Sequence, residues 1–198
     1  MEKRKGKKNG FSIKEQYLLS WRFIKDSKNF IFLALGIFFL FAIIGFFIPS
    51  PDFISKLVSD YVREILKETS NLSWFQLISF IFFNNAKTSF FGLFLGIFFG
   101  IFPLLATVFN GYILGFVAAE SVKSSGISIL WKLFPHGIFE LPAVFISLGL
   151  GIKIGFSILD KKNRRNYLIE SLKVFLLVVI PLLIIAAVIE GLLITFVN

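Results

Sequence analysis

The hydrophobic and polar positions along this chain fall into long blocks. Residues 29–51, 88–119 and 174–189 contain no Asp, Glu, Lys or Arg. Runs of about 18 or more apolar residues cross the roughly 30 Å hydrocarbon layer as helices. A first span is predicted over 30–48, ended by Pro49-Ser50-Pro51, because proline lacks an amide donor and turns the preceding residue away from helix. Residues 52–69 then place Phe53, Leu57, Tyr61 and Ile65 four apart among balanced charges, which predicts an amphipathic outer helix. The apolar piece 74–83 is too short to span and reads as interfacial or re-entrant, ending in Asn84-Asn85 and returning the chain to the outer surface.

The run 90–119 is too long for one span, since thirty residues at 1.5 Å rise reach about 45 Å. Asn110-Gly111 is a turn signal, and the chain is expected to break there. A third segment, 112–134, is interrupted by Lys123-Ser124-Ser125-Gly126. After Pro135-His136-Gly137 come a fourth apolar run at 138–159, a basic loop at 160–165 and a last span at 171–197. The expected fold class is all-α: a polytopic helical membrane protein with about five membrane segments, some discontinuous, plus the outer amphipathic helix.

Charge orients this scheme. The first 28 residues carry nine Lys and Arg against Glu2, Glu15 and Asp26, with no short apolar stretch and small-residue cleavage site behind them, so no signal peptide is expected to be removed. Ile13, Tyr17, Leu18, Trp21 and Ile24 recur at helical spacing, which fits either a basic interfacial helix or a juxtamembrane extension of the first span. Five crossings put this arm and the loop at 160–165 inside and the C-terminus outside; four would move the second basic loop outward, against the positive-inside rule. Two regions follow: a basic cytoplasmic arm at 1–29 and one helical membrane domain at 30–198, in the cytoplasmic membrane.

Composition narrows the function classes. With 198 residues, 28 of them Phe, 56% hydrophobic and only 17% charged, the chain is not an ordinary water-soluble enzyme domain. Having no cysteine, it lacks disulfides, thiolate nucleophiles and Cys-ligated metal clusters. The net charge of +9 lies beside apolar segments, an arrangement suited to an anionic leaflet rather than to nucleic acid. There is no Gly-x-Ser-x-Gly, no phosphate-binding Gly-x-x-x-x-Gly-Lys and no His-Glu-x-x-His, so no enzyme, cofactor or metal is expected.

Small residues recur every four positions at Gly92, Gly96 and Gly100, at Gly111, Gly115 and Ala119, and at Gly151 and Gly155. Spaced in this way they line one helix face and let a neighbouring backbone approach, where dispersion replaces the missing hydrophobic drive. The pattern leaves open whether the contact is within one chain or in a homo-oligomer.

Polar residues inside lipid are the functional pointers. A charge at mid-membrane costs about 2.5–3.5 kcal/mol on insertion scales, so Glu120, Lys123, Glu140, Lys153 and Glu190 each need a partner, an interface or a watery cavity. His136 and Glu140, four apart after Pro135, share one helix face. They could bind a metal, pass protons, pair as a structural staple, or act as a general base and its orienter. Glu190 could titrate in a transport cycle or hydrogen-bond across helices, and Asn84, Asn85 and Asn110 could tie off backbone groups at helix breaks.

The ordered set Asn84-Asn85, Gly92 to Gly100, Asn110-Gly111, Pro135-His136-Gly137-x-x-Glu140 and the later glycines resembles the stage II sporulation protein M family, over roughly residue 30 to the C-terminus. The resemblance implies a small polytopic protein of the cytoplasmic membrane. The family's founding member acts in engulfment as a membrane anchor for a peptidoglycan-degrading complex, and relatives occur in organisms that make no spores. Asn84, Asn85, Asn110, Gly111, Pro135, His136, Gly137 and Glu140 carry over as signature residues, with no catalytic role attached. The expected function is a non-enzymatic scaffold or assembly factor with membrane or envelope protein partners in the lipid bilayer; the alternative is a transport component whose intramembrane Glu120, His136, Glu140 and Glu190 line a polar pathway.

Overall fold

The computed structural model describes residues 12–157 and 163–196, with the side chains of 129, 131–136 and 195–196 left aside. The described residues form eight α-helices and no strand: α1 Ile13–Asp26, α2 Lys28–Phe47, α3 Asp52–Thr69, α4 Trp74–Phe94, α5 Ile101–Ser125, α6 Leu130–Phe156, α7 Arg164–Val174 and α8 Ile180–Phe196. Five segments are long and apolar enough to cross a membrane: Lys28–Phe47, Trp74–Ile97, Ile101–Ser125, Gly137–Phe156 and Arg164–Ile194.

The number of crossings matches the sequence reading, but the second and third spans lie elsewhere. Residues 74–83 are not a short re-entrant piece. They open a helix that runs through Asn84, Asn85 and Lys87 and reaches Ile97 by a final 3-10 turn. A capping box starts it, with Gln76 Oε1 accepting from the Ser73 amide at 2.9 Å and from the Ser73 hydroxyl at 2.8 Å. Polar residues within it did not break the helix, because a helix satisfies its own backbone and side chains face outward from it. The Ser89 backbone serves a neighbouring span, its carbonyl accepting from the buried Ser147 hydroxyl of α6 at 2.6 Å.

Nor does the chain turn at Asn110-Gly111. It reverses at Phe99 (φ +56°) and Gly100 (φ +73°), two successive left-handed residues, the second of which glycine adopts without steric cost. Asn110 sits mid-helix in α5 and donates to the Ala106 carbonyl at 2.8 Å. Gly111 is buried against the Phe38 backbone of α2, so it serves close approach and not a turn. The third span accordingly ends at Ser125-Gly126 (φ +79°), and Lys123 lies in its last turn instead of interrupting it. Pro103 falls within the first turn of α5, where its missing amide donor would be unpaired anyway.

α6 passes through Pro135-His136-Gly137 as one helix, and the last span begins at Arg164 rather than near residue 171. A π-helical turn, Phe175–Val179, joins α7 to α8. Pro181 follows it and cannot donate to the carbonyl four residues back, so the wider turn accommodates the missing bond. The basic loop lies largely outside the described residues; Arg164 and Arg165 open α7.

α6 is the hub. Over half of its spanning window is buried, against 17% for the first span, most of which faces outward. It packs on α2, α4, α5, α7 and α8. The main core joins Leu93, Ala143, Leu150, Ile154, Val174, Phe175, Val179 and Leu183. Smaller cores gather Ala34, Leu148 and Ile152, and Leu77, Ile81 and Ala187. α3 connects the first two spans; Val58 on its inner face is buried, and with Phe53 and Tyr61 it borders an apolar cleft of about 490 Å³ whose other walls include Phe41 of α2 and Phe109 of α5.

Candidate functional site

Four of the polar residues that need an explanation in lipid, Asn84, Asn85, Glu140 and Glu190, meet at the α3 end. A cleft of about 810 Å³ lies between α3, α4, α6 and α8, and its walls include Asn84 and Asn85 of α4, Glu140 of α6 and Glu190 of α8. The last turn of α3, with Ile65, Leu66, Thr69 and Ser70, forms its rim. Thr69 and Ser70 donate into their own helix, to the Ile65 carbonyl at 2.8 Å and the Lys67 carbonyl at 3.1 Å, so their hydroxyls hold the rim's backbone. Trp74, Leu77 and Ile81 give the cleft an apolar wall.

Helical register explains the convergence. Asn84 and Asn85 follow Leu77 and Ile81 by one to two turns of α4, and those two apolar side chains pack with Ala187, one turn before Glu190. Gly191, next to Glu190, lies against Ile78 of α4 and lets α8 approach it. Glu190 lies within Coulombic range of Glu140. The carboxylates and the two amides make no hydrogen bond or ion pair with another described residue, so their polar atoms are available to the cleft.

Other sequence candidates lie elsewhere. Glu120 is exposed near the end of α5 and pairs with Lys123 at 2.6 Å. An exposed i,i+3 pair of this kind is worth a few tenths of a kcal/mol, about 0.3–0.5. Gly111 serves the α2–α5 contact, and Asn110 bonds within α5. The backbones of Pro135 and His136 lie one to two turns before Glu140 in α6, while their side chains lie outside the described residues. Among the described residues, a Cβ on Gly137 would meet Leu141 of its own helix. Among the described residues no group of three or more His, Cys, Asp or Glu side chains gathers, and two carboxylates fall short of the three or four ligands a transition-metal site requires.

Away from the cleft the bundle is closed by backbone contact. A Cβ on Gly96 would overlap the Gly151 carbonyl, and one on Gly151 the Gly92 carbonyl. A Cβ on Gly155 would overlap the backbone of Gly100. On the other side of α6, Gly45 of α2 faces Tyr112 of α5, while Gly111 and Gly115 of α5 face Phe38 and Ala42 of α2. Gly92 itself meets the Leu148 side chain. These contacts all lie within one chain. Beyond the cleft, Leu93, Leu148, Leu150, Ile152 and Ile154 are fully buried, and the polar lining stops at Asn85 on α4 and Glu140 on α6.

Sequence reasoning flagged Lys153 without supplying its partners. Its ammonium donates to the Ser27 hydroxyl at 2.8 Å and lies 4.2 Å from the ring centre of Phe23 and 5.1 Å from that of Tyr167. Three elements distant in sequence meet there, so no local pattern signals the site. The α3 rim was likewise missed as a wall, since its outer-helix pattern says nothing of what it borders.

Comparison with known proteins agrees with this architecture. The family model described as stage II sporulation protein M matches residues 34–194. An uncharacterized protein of Methanocaldococcus jannaschii, MJ0706, is 31% identical over 184 residues, covering 85% of this chain and 82% of that protein. A second from the same organism, the uncharacterized protein MJ0793, is 36% identical over 116 residues, covering 54% of this chain and 65% of that one. No solved structure matches.

Proposed function

We propose, from the premise that this chain belongs to the stage II sporulation protein M family, that it is a non-enzymatic membrane scaffold or assembly factor that engages partner proteins at its α3 end. One observation carries this reading: the polar lining of the cleft is confined to that end, and beyond it α6 is held to its neighbours by fully buried side chains and backbone-to-backbone glycine contacts. A bundle packed in this way is a rigid support. The exposed face of α3, with Phe53, Leu57 and Leu66, and the cleft beside it offer a partner both apolar surface and uncommitted polar groups. The cytoplasmic membrane, with the N-terminus inside and the α3 end outside, is the setting that the charge asymmetry favours.

The test is site-specific photo-cross-linking in native membranes from Leu66, on the cleft rim, and from Phe75, an exposed residue at the start of α4. A discrete, reproducible partner is expected, lost when Glu140 and Glu190 are both replaced by Gln. Recovery of no reproducible adduct contradicts the reading.

A second reading, a transport component, is favoured by the convergence of Glu140, Glu190, Asn84 and Asn85 on one cleft. It requires solute flux in proteoliposomes that falls in Glu140→Gln and Glu190→Gln. The scaffold reading predicts no flux above protein-free vesicles.

A further inference from the structure

α1 is not a straight continuation of the first span. At Ser27 the backbone (φ −104°, ψ 1°) leaves helical geometry, and α2 starts afresh at Lys28. The bend is fastened: the Ser27 hydroxyl donates to the Phe23 carbonyl at 2.6 Å and accepts from Lys153. α1 therefore leaves the axis of the first span at a fixed point. Its inward face, Gln16, Ser20, Phe23 and Ile24, rests on α7, with Ser20 and Ser171 fully buried at the contact and the rings of Phe23 and Tyr167 6.3 Å apart.

The outward flank is ordered by charge. At 100° per residue, Tyr17, Trp21, Lys14, Lys25 and Leu18 fall within an arc of about 100° on one exposed flank; Arg22 lies about 40° beyond Leu18, and the exposed Glu15 and Asp26 follow it, outside that arc. The Lys25 ammonium lies 5.7 Å from the Trp21 ring centre. The next exposed large apolar residues along the chain, Phe32 and Leu33 near the start of α2, are 64% and 43% exposed and open the first membrane span. Tryptophan and tyrosine settle at headgroup level, and Lys and Arg close to an anionic leaflet are drawn to its phosphates. A soluble acidic partner would match the cations but would have no reason to join a surface that runs on into lipid.

We propose that this flank of α1 docks on anionic phospholipid in the leaflet at the Ser27 end of the bundle, with Trp21, Tyr17 and Leu18 at the acyl boundary and Lys14, Arg22 and Lys25 on the phosphates. The test uses the full-length chain carrying Trp74→Phe and Trp131→Phe, so that Trp21 is the one tryptophan left, excited selectively over tyrosine. It is placed in nanodiscs of mixed phosphatidylcholine and phosphatidylglycerol, one or the other with brominated acyl chains. Brominated phosphatidylglycerol is expected to quench Trp21 beyond its share of the lipid, at a local enrichment of about fivefold, the factor one well-placed cation supplies. Combined Lys14→Gln, Arg22→Gln and Lys25→Gln abolishes the enrichment. Equal quenching by both lipids, a preference that survives the triple substitution, or Trp21 open to aqueous iodide each overturns the proposal. Should the tryptophan-reduced chain fail to fold, native mass spectrometry of the unmodified chain released from the same discs reads the same preference. Retained phosphatidylglycerol that disappears in the triple variant supports docking, and retention without preference overturns it.

Discussion

At the scale of single residues, the determining choices are glycines whose missing side chain lets another backbone in. Gly115 meets the Ala42 carbonyl and lies 2.9 Å from the Phe46 amide by the position a Cβ would take, whereas Gly36 has nothing within 4 Å. Gly115→Leu should therefore destabilise by about 1–3 kcal/mol, the usual cost of overpacking. Gly36→Ala should be neutral or stabilise by up to about 1 kcal/mol, since it removes helix-interior glycine without a clash. Denaturant titration in detergent micelles measures both, and a Gly115→Leu as stable as the parent would contradict the packing. Ser147→Ala, which removes the bond to the Ser89 carbonyl, should cost about 0.6 kcal/mol, the average for interhelical bonds in membranes. The spacing by four was legible in the sequence; whether each glycine meets a backbone, a side chain or open space was not. Asn110-Gly111 illustrates the limit, because the same dipeptide suits a tight turn and a close helix crossing, and only α2 lying alongside decides between them.

At the scale of elements, the error in the sequence reading was one of boundaries. Asn84, Asn85 and Lys87 look like an interruption when counted along the chain, yet in a helix they occupy positions on a cylinder, and the amides turn to the cleft. The true reversal, Phe98 to Gly100, lies inside an unbroken aromatic and glycine run, where hydrophobicity carries no turn signal. Its chemistry is testable. A Cβ on Gly100 would find its nearest neighbours at 3.4–3.6 Å, ordinary contact, so the cost of Gly100→Ala comes from the left-handed backbone alone, about 1–2 kcal/mol. Asn110→Ala loses one intrahelical bond from a half-buried amide and should cost no more than about 1 kcal/mol. Were the turn at Asn110-Gly111, the order of these two effects in the same titration would be reversed.

At the scale of the whole molecule, the spans divide into a sealed part and an open one. In the sealed part, α6 is surrounded by α2, α4, α5, α7 and α8, and glycine contacts bring backbones together. At the α3 end, α3, α4, α6 and α8 border a cleft with two carboxylates and two amides. The sequence marked Asn84, Asn85, Glu140 and Glu190 as residues needing an explanation in lipid; that they share one cleft while Glu120 pairs at the surface depends on helix register and on which spans adjoin. A scaffold needs one accessible end, whereas a pathway needs two.

The most direct test uses the absence of native cysteine. Single substitutions Phe99→Cys, Arg165→Cys, Ser125→Cys, Lys67→Cys, Asn84→Cys and Glu190→Cys are probed in sealed vesicles with a membrane-impermeant maleimide added to either side. The account predicts that positions 99 and 165 react from one side, that 67 and 125 react from the other, and that 84 and 190 react only from the side of 67 and 125. Labelling of 99 and 125 from the same side, or of 84 and 190 from both, would contradict it.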